Sequence, residues 1–125
     1  MRPGDKMTDG TVFAGISPET GLDMYAMPGE AALTLTFNEA CDYTEGQNTT
    51  RGYGHNDWHL PSERELNVLF NNRAAISGFK GNDESGWYWS ATSYGPGGAW
   101  GQDFKTGERV SNLLKLNHAS VRLVR

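Results

Sequence analysis

The spacing of apolar and polar positions changes character along this chain, and each change predicts an element. Thr11-Val12-Phe13-Ala14-Gly15-Ile16 has the β-branched and aromatic content of a strand. Ser17-Pro18-Glu19-Thr20-Gly21 follows as a turn, and Met24-Tyr25-Ala26-Met27 reads as the returning strand, stopped by Pro28-Gly29. An N-terminal hairpin within residues 1–32 is expected. The period then lengthens. Thr36-Phe37-Asn38-Glu39 matches the capping box, in which a hydroxyl and a carboxylate satisfy the free amides of a helix start, and Phe37, Ala40 and Cys41 fall at helical spacing. This first helix should end before Glu45-Gly46-Gln47-Asn48-Thr49-Thr50-Arg51-Gly52-Tyr53-Gly54, whose composition is that of a loop. Ser62-Glu63-Arg64-Glu65 repeats the box behind Pro61, and Leu66, Leu69 and Phe70 share one face, so a second helix should run from about Glu63 to Asn71.

From Gly86 onward no helical period survives. Trp87-Tyr88-Trp89, Ala99-Trp100, Phe104 and the closing Val121-Arg122-Leu123-Val124 are separated by turn clusters such as Gly95-Pro96-Gly97-Gly98. A meander of short strands is expected, and Asn112-Leu113-Leu114-Lys115-Leu116-Asn117 is only superficially helical. The chain has 125 residues, 37% of them apolar, which fits one domain spanning 1–125 with a real core and no need of metal or disulfide staples. Its 16 glycines and 5 prolines exceed what a helical bundle tolerates. The fold class expected is α+β, with two short helices, a twisted and mostly antiparallel sheet, and long loops.

Charge and single residues narrow the chemistry. A net charge of −4 without a Lys/Arg cluster gives no footprint for a phosphate backbone, so no nucleic acid partner is expected. No apolar run approaches the roughly 20 residues of a membrane span, so no membrane insertion is expected, and Met1-Arg2-Pro3-Gly4-Asp5-Lys6 lacks the apolar stretch of a secretion signal. Cys41 is the only cysteine; it excludes an internal disulfide and a cysteine-rich zinc site, and it is expected to be a small buried hydrophobe. His55 and His59 stand four apart, but in loop-like sequence before Pro61 and without a third ligand, so His59 is expected to pack beside Trp58 or to hydrogen-bond locally. Oxygens of Asp57, Asp83 and Glu84 could converge on calcium, yet the Glu-Pro-Asn segment of calcium-dependent sugar binders is absent. No metal or other cofactor is expected.

Four blocks taken in order are more specific than any one alone: Asp57-Trp58-His59-Leu60-Pro61-Ser62 with Glu65-Leu66, Trp87-Tyr88-Trp89-Ser90, Trp100 with Asp103-Phe104, and Val121-Arg122-Leu123-Val124-Arg125. Over about residues 33 to 125 this combination resembles the C-terminal domains of bacterial collagen-like adhesins and phage tail proteins, which have the C-type-lectin-like fold in the variant shared with formylglycine-generating enzymes. The closer look-alikes within that superfamily are the variable proteins of diversity-generating retroelements, whose late loops are diversified to change ligand. The resemblance implies recognition of a protein or glycan at a cell surface or on a phage particle, through loops within residues 91–119, with the quoted blocks as scaffold. An enzyme of the formylglycine-generating kind needs thiols near its C-terminus, whereas the one thiol here lies far upstream, and no Ser/His/Asp order replaces it. No catalysis is expected. The alternative is an assembly role, a homo-oligomer contact in a tail fibre or adhesin.

Candidate ligand contacts follow from that division. Trp87, Trp89 and Trp100 could stack on sugar rings, but alternation puts Trp87 and Trp89 on one strand face, and core is the reading taken. Tyr94, beside the glycine-rich turn, is expected to be exposed and to touch ligand. Ser93, Gln102, Asn112, Asn117 and His118 offer donors and acceptors, or else form an ordinary solvated face. Pro96 and Ser111 lie in the same stretch. Leu113 and Leu114 would make an apolar contact patch if both are exposed.

Overall fold

The computed structural model of the chain describes residues 1–79 and 86–125. The N-terminal hairpin pairs β1 (Val12–Ile16) with β2 (Asp23–Ala26) in antiparallel register, with a bulge between Phe13 and Gly15. Helix α1 spans Phe37–Thr49, and its capping box closes in both directions: Thr36 accepts from the Glu39 amide and Glu39 accepts from the Thr36 amide. A short 3₁₀ turn at Gly52–Gly54 precedes α2 (Glu63–Asn71), capped in the same reciprocal way by Ser62 and Glu65, and a four-residue helix α3 (Arg73–Ile76) follows. Strands β3 (Trp87–Tyr94), β4 (Gly98–Asp103) and β5 (Arg109–Leu114) form an antiparallel sheet in chain order.

The α+β expectation, the hairpin, the two boxed helix starts and the late meander all hold. Two boundaries do not. Helix α1 runs through Glu45–Thr49, which was expected to be loop, because its last turn has tertiary partners that composition does not reveal. Asn48 donates Nδ2 to the Trp58 carbonyl at 2.9 Å and accepts the Trp58 amide at 2.8 Å. Also, α3 makes three helices among the described residues where two were expected.

The sheet divides the interior in two. On one face of β3, Tyr88 packs with Phe104, Leu66, Leu69 and Val124; on the other, Trp89 packs with Trp58, Leu60, Ala99, Val121 and Leu123. Successive side chains of a strand point to opposite sides, so a strand with both faces covered must be apolar throughout, as Trp87-Tyr88-Trp89 is. The closing segment repeats this alternation: Val121 and Leu123 enter the second cluster and Val124 the first. It is held by single bridges rather than one ladder, with Met27 donating to Leu123, Ala31 to Val121, and His59 and Val124 exchanging both main-chain bonds. Between Val121 and Leu123, Arg122 is buried, donating Nε to the Met27 carbonyl and Nη1 to that of Ser77.

Two indoles also tie irregular backbone to the core. Trp58 Nε1 donates to the Gly52 carbonyl at 2.8 Å, and Trp89 Nε1 to that of Leu35 at 2.7 Å. The reading of Trp89 as core stands, while Trp87 and Trp100 are half-buried. Cys41 corrects an expectation: it is exposed, and its neighbour Ala40 occupies the buried position on α1. Among the described residues no helix is long and apolar enough to cross a membrane.

Candidate functional site

The late strands bring Ser93, Tyr94, Pro96 and Leu114 to one rim. β3 extends to Tyr94, beyond the aromatic block, and the Gly95–Gly97 turn leads directly into β4, with Tyr94 paired to Gly98. Gly95 has a φ of +72°, a backbone conformation that favours glycine. On the far side of the sheet, β5 pairs Leu114 with Gly98 and Leu113 with Ala99. The 91–119 stretch is therefore mostly strand joined by short turns, not the long loops expected.

Alternation on β5 sorts the candidates. Asn112 and Leu114 point outward and are exposed, as are Leu116, Asn117 and His118 beyond the strand; Ser111 and Leu113 are half-buried. Leu113 packs against the second core cluster, so the expected Leu113–Leu114 patch does not form. The apolar neighbours at the surface are instead Leu114, at 54% exposure, and Leu116, at 86%. Tyr94 is exposed at 55%, as expected, with Ser93 and Pro96 beside it. Gln102 is a further correction. It is 1% exposed, and its amide donates to Asn67 Oδ1 at 2.9 Å and to the Gly107 carbonyl at 3.2 Å, so it joins α2 to the β4–β5 turn.

Pro96 and Gly97 from the β3–β4 turn, Leu114, Lys115 and Leu116 from the end of β5, and Asn38 from the start of α1 enclose a cleft of about 420 Å³. Main-chain bonds fix its three walls relative to one another. The Lys115 amide donates to the Gly97 carbonyl at 2.9 Å, and the Phe37 amide to the Lys115 carbonyl at 3.0 Å. Lys115 Nζ reaches Ser93 Oγ at 3.3 Å and the Gly95 carbonyl at 3.5 Å, and lies 4.8 Å from the centre of the Phe37 ring. Asn38, Lys115 and Leu116 were not among the sequence candidates. The only signal for Leu116 was the alternation that continues from Asn112 through Leu114, and nothing in the sequence tied Asn38 to that run.

His55 and His59, the histidines considered as metal ligands, lie elsewhere and are paired with carboxylates. His59 stands 3.3 Å from Glu65, and it is His55 whose ring meets Trp58 edge-on, while Nε2 of His55 sits 2.7 Å from Asp9. A hydrogen bond from the Thr11 hydroxyl, with the His55 contact added, holds the Asp9 carboxyl well below the usual range. Glu65 is buried, which works to raise its pKa, but hydrogen bonds from His59, Ser17 and Ser62 outweigh burial and hold it at about 2. Asp57 pairs with Arg125 at 2.9 Å; Asp83 and Glu84, the other oxygens considered for calcium, lie outside the described residues. Among the described residues no three His, Cys, Asp or Glu side chains converge as metal ligands. Partial burial and Asp42 push the Cys41 thiol up, away from the thiolate that nucleophilic chemistry needs.

No curated protein matches the chain. The Lcl C-terminal domain family matches it over residues 17–125, a span that takes in β2, the helices α1 to α3, the late sheet and the cleft, while β1 lies before it. That match agrees with the C-type-lectin-like resemblance at the level of the general family and suggests a ligand-binding or receptor-binding module. The chain belongs to the Lcl C-terminal domain family.

Proposed function

We propose that the domain is a non-catalytic recognition module that grips a protein or glycan ligand at the rim around Tyr94, Pro96, Leu114 and Leu116. The observation that carries this reading is the cleft itself: exposed apolar side chains around a concavity whose backbone walls are hydrogen-bonded to one another. Contiguous exposed apolar surface is costly to keep in water and marks interaction sites. Family membership supports the same reading.

Exchange at the rim is tolerable because the core clusters and main-chain ladders hold the strands whatever side chains project outward. A C-type-lectin-like scaffold diversified by a retroelement, carried on a cell surface or a phage particle, fits that separation. The assembly reading is favoured by one feature, the 86% exposure of Leu116, which a second copy of the chain would cover.

The test probes the immobilised domain with a glycan array and a phage-displayed random peptide library, beside a Tyr94→Ala, Leu114→Asp double variant. Binders held by the parent and lost by the variant, with urea midpoint unchanged, are the expected result. No binder from either probe, or binders indifferent to both substitutions, overturns recognition. A molar mass that falls on Leu114→Asp in the absence of binders favours assembly.

A further inference from the structure

We infer that the occupant of the cleft is a segment of a protein partner that carries an apolar side chain next to a carboxylate, with the carboxylate meeting Lys115 Nζ. The inference rests on the recognition reading and specifies its partner.

Charge is unevenly distributed along the chain. Against an overall charge of −4, residues 86–125 contain five basic side chains and two acidic ones. Neither acid faces the cleft. Asp103 is buried and accepts from the Gly86 and Lys105 amides, and Glu108 sits at the opposite end of the β4–β5 hairpin, since Asp103 pairs with it where Gly98 pairs with Leu114.

Most of the cations there are already satisfied. Arg122 is buried on main-chain carbonyls, Arg125 pairs with Asp57 at 2.9 Å, and Arg109 with Glu63 at 3.4 Å. Lys115 is different. Its ammonium group meets only neutral acceptors, Ser93 Oγ and the Gly95 carbonyl, and the face of Phe37, and among the described residues no carboxylate pairs with it. Those contacts hold the charge at the wall of the cleft without neutralising it. Leu114, Leu116 and Pro96 supply the apolar walls beside it.

A ligand that buries carbon against these walls and brings an anionic oxygen to Nζ satisfies both features together. Aliphatic walls with Asn38 and Lys115 as the polar side chains give a sugar few hydrogen-bonding partners, so a peptide segment fits better. The remaining thirteen of the fifteen acidic residues precede position 86, so the long-range field of the chain slows an acidic partner while the local charge retains it.

The experiment selects binders to the domain from a random peptide library and measures a synthetic copy of one by fluorescence anisotropy. Selected peptides should share an aliphatic or aromatic residue beside Asp or Glu. Lys115→Gln should weaken binding roughly threefold to tenfold, Lys115→Arg should retain it, and changing the peptide acid to its amide should cost little further in the Lys115→Gln background. Binders without an acid, or equal affinity for Lys115→Gln, overturn the inference. If such binders are still lost on Leu114→Asp, the recognition reading survives; if they are indifferent to that change too, both fall. A glycan array that yields ligands where the peptide library yields none overturns the inference alone, and so does self-association abolished by Leu114→Asp.

Discussion

Arg122 donates through Nε to the main-chain carbonyl of Met27 across 2.7 Å, joining positions 95 residues apart. The same guanidinium reaches the Ser77 carbonyl at 3.0 Å and lies 4.4 Å from the centre of the Phe79 ring, so one buried cation fastens the hairpin exit, the α3 exit and the closing segment. An arginine at 1% exposure is sustained only by such contacts, because removing it from water without them costs several kcal/mol.

Replacing Arg122 by methionine keeps much of the volume but leaves the Met27 and Ser77 carbonyls without their charged donor. Hydrogen bonds to charged groups are worth about 1.5–3 kcal/mol each, so a loss of about 3 kcal/mol is expected. Urea unfolding checks this: the midpoint should fall with little change in slope.

The His59–Glu65 pair makes stability depend on pH. Glu65 is held at about 2, below its ordinary value of 4.5, so its contribution is complete above that ordinary value and is lost as pH falls toward 2. A hydrogen bond to Glu65 raises His59 above its ordinary 6.5, against burial, so its contribution is complete below 6.5 and is lost as pH rises through the raised value. The pair contributes most between those two ordinary values. Urea midpoints across a pH series should show both limbs, and His59→Gln should flatten the alkaline one while leaving an acidic limb from Glu65 and its Ser17 and Ser62 donors.

Gly107 turns the chain between β4 and β5 at a φ of +85°, and a Cβ placed there would lie 2.7 Å from Cζ of Phe70. Gly107→Ala combines left-handed strain with displacement of a ring that packs edge-on against Phe104. The backbone term alone is about 1–2 kcal/mol. Thermal unfolding should register at least that, while Gly97→Ala, with open space around the added carbon, should be close to neutral.

Local signals were legible in the sequence where local physics decides the structure. Both capping boxes closed as the motif requires, and the start and end of α2 followed from Ser62, Leu66 and Leu69. Distant partners were not legible. The last turn of α1 persists because Asn48 clasps the main chain of Trp58, and Gln102 is buried because Asn67 and Gly107 receive its amide. The rim was legible in part: Tyr94, Pro96 and Leu114 lie on it, but the partition of Leu113 inward and Leu116 outward depends on the register of β5 against β4.

The rim and the frame of the domain are separable on this reading. Simultaneous randomisation of Tyr94, Pro96, Asn112, Leu114, Leu116 and His118 in a displayed library, scored for resistance to proteolysis, tests it most directly. The account predicts that most members stay folded, while a parallel library at Trp58, Trp89 and Arg122 collapses. Widespread unfolding in the rim library would contradict it.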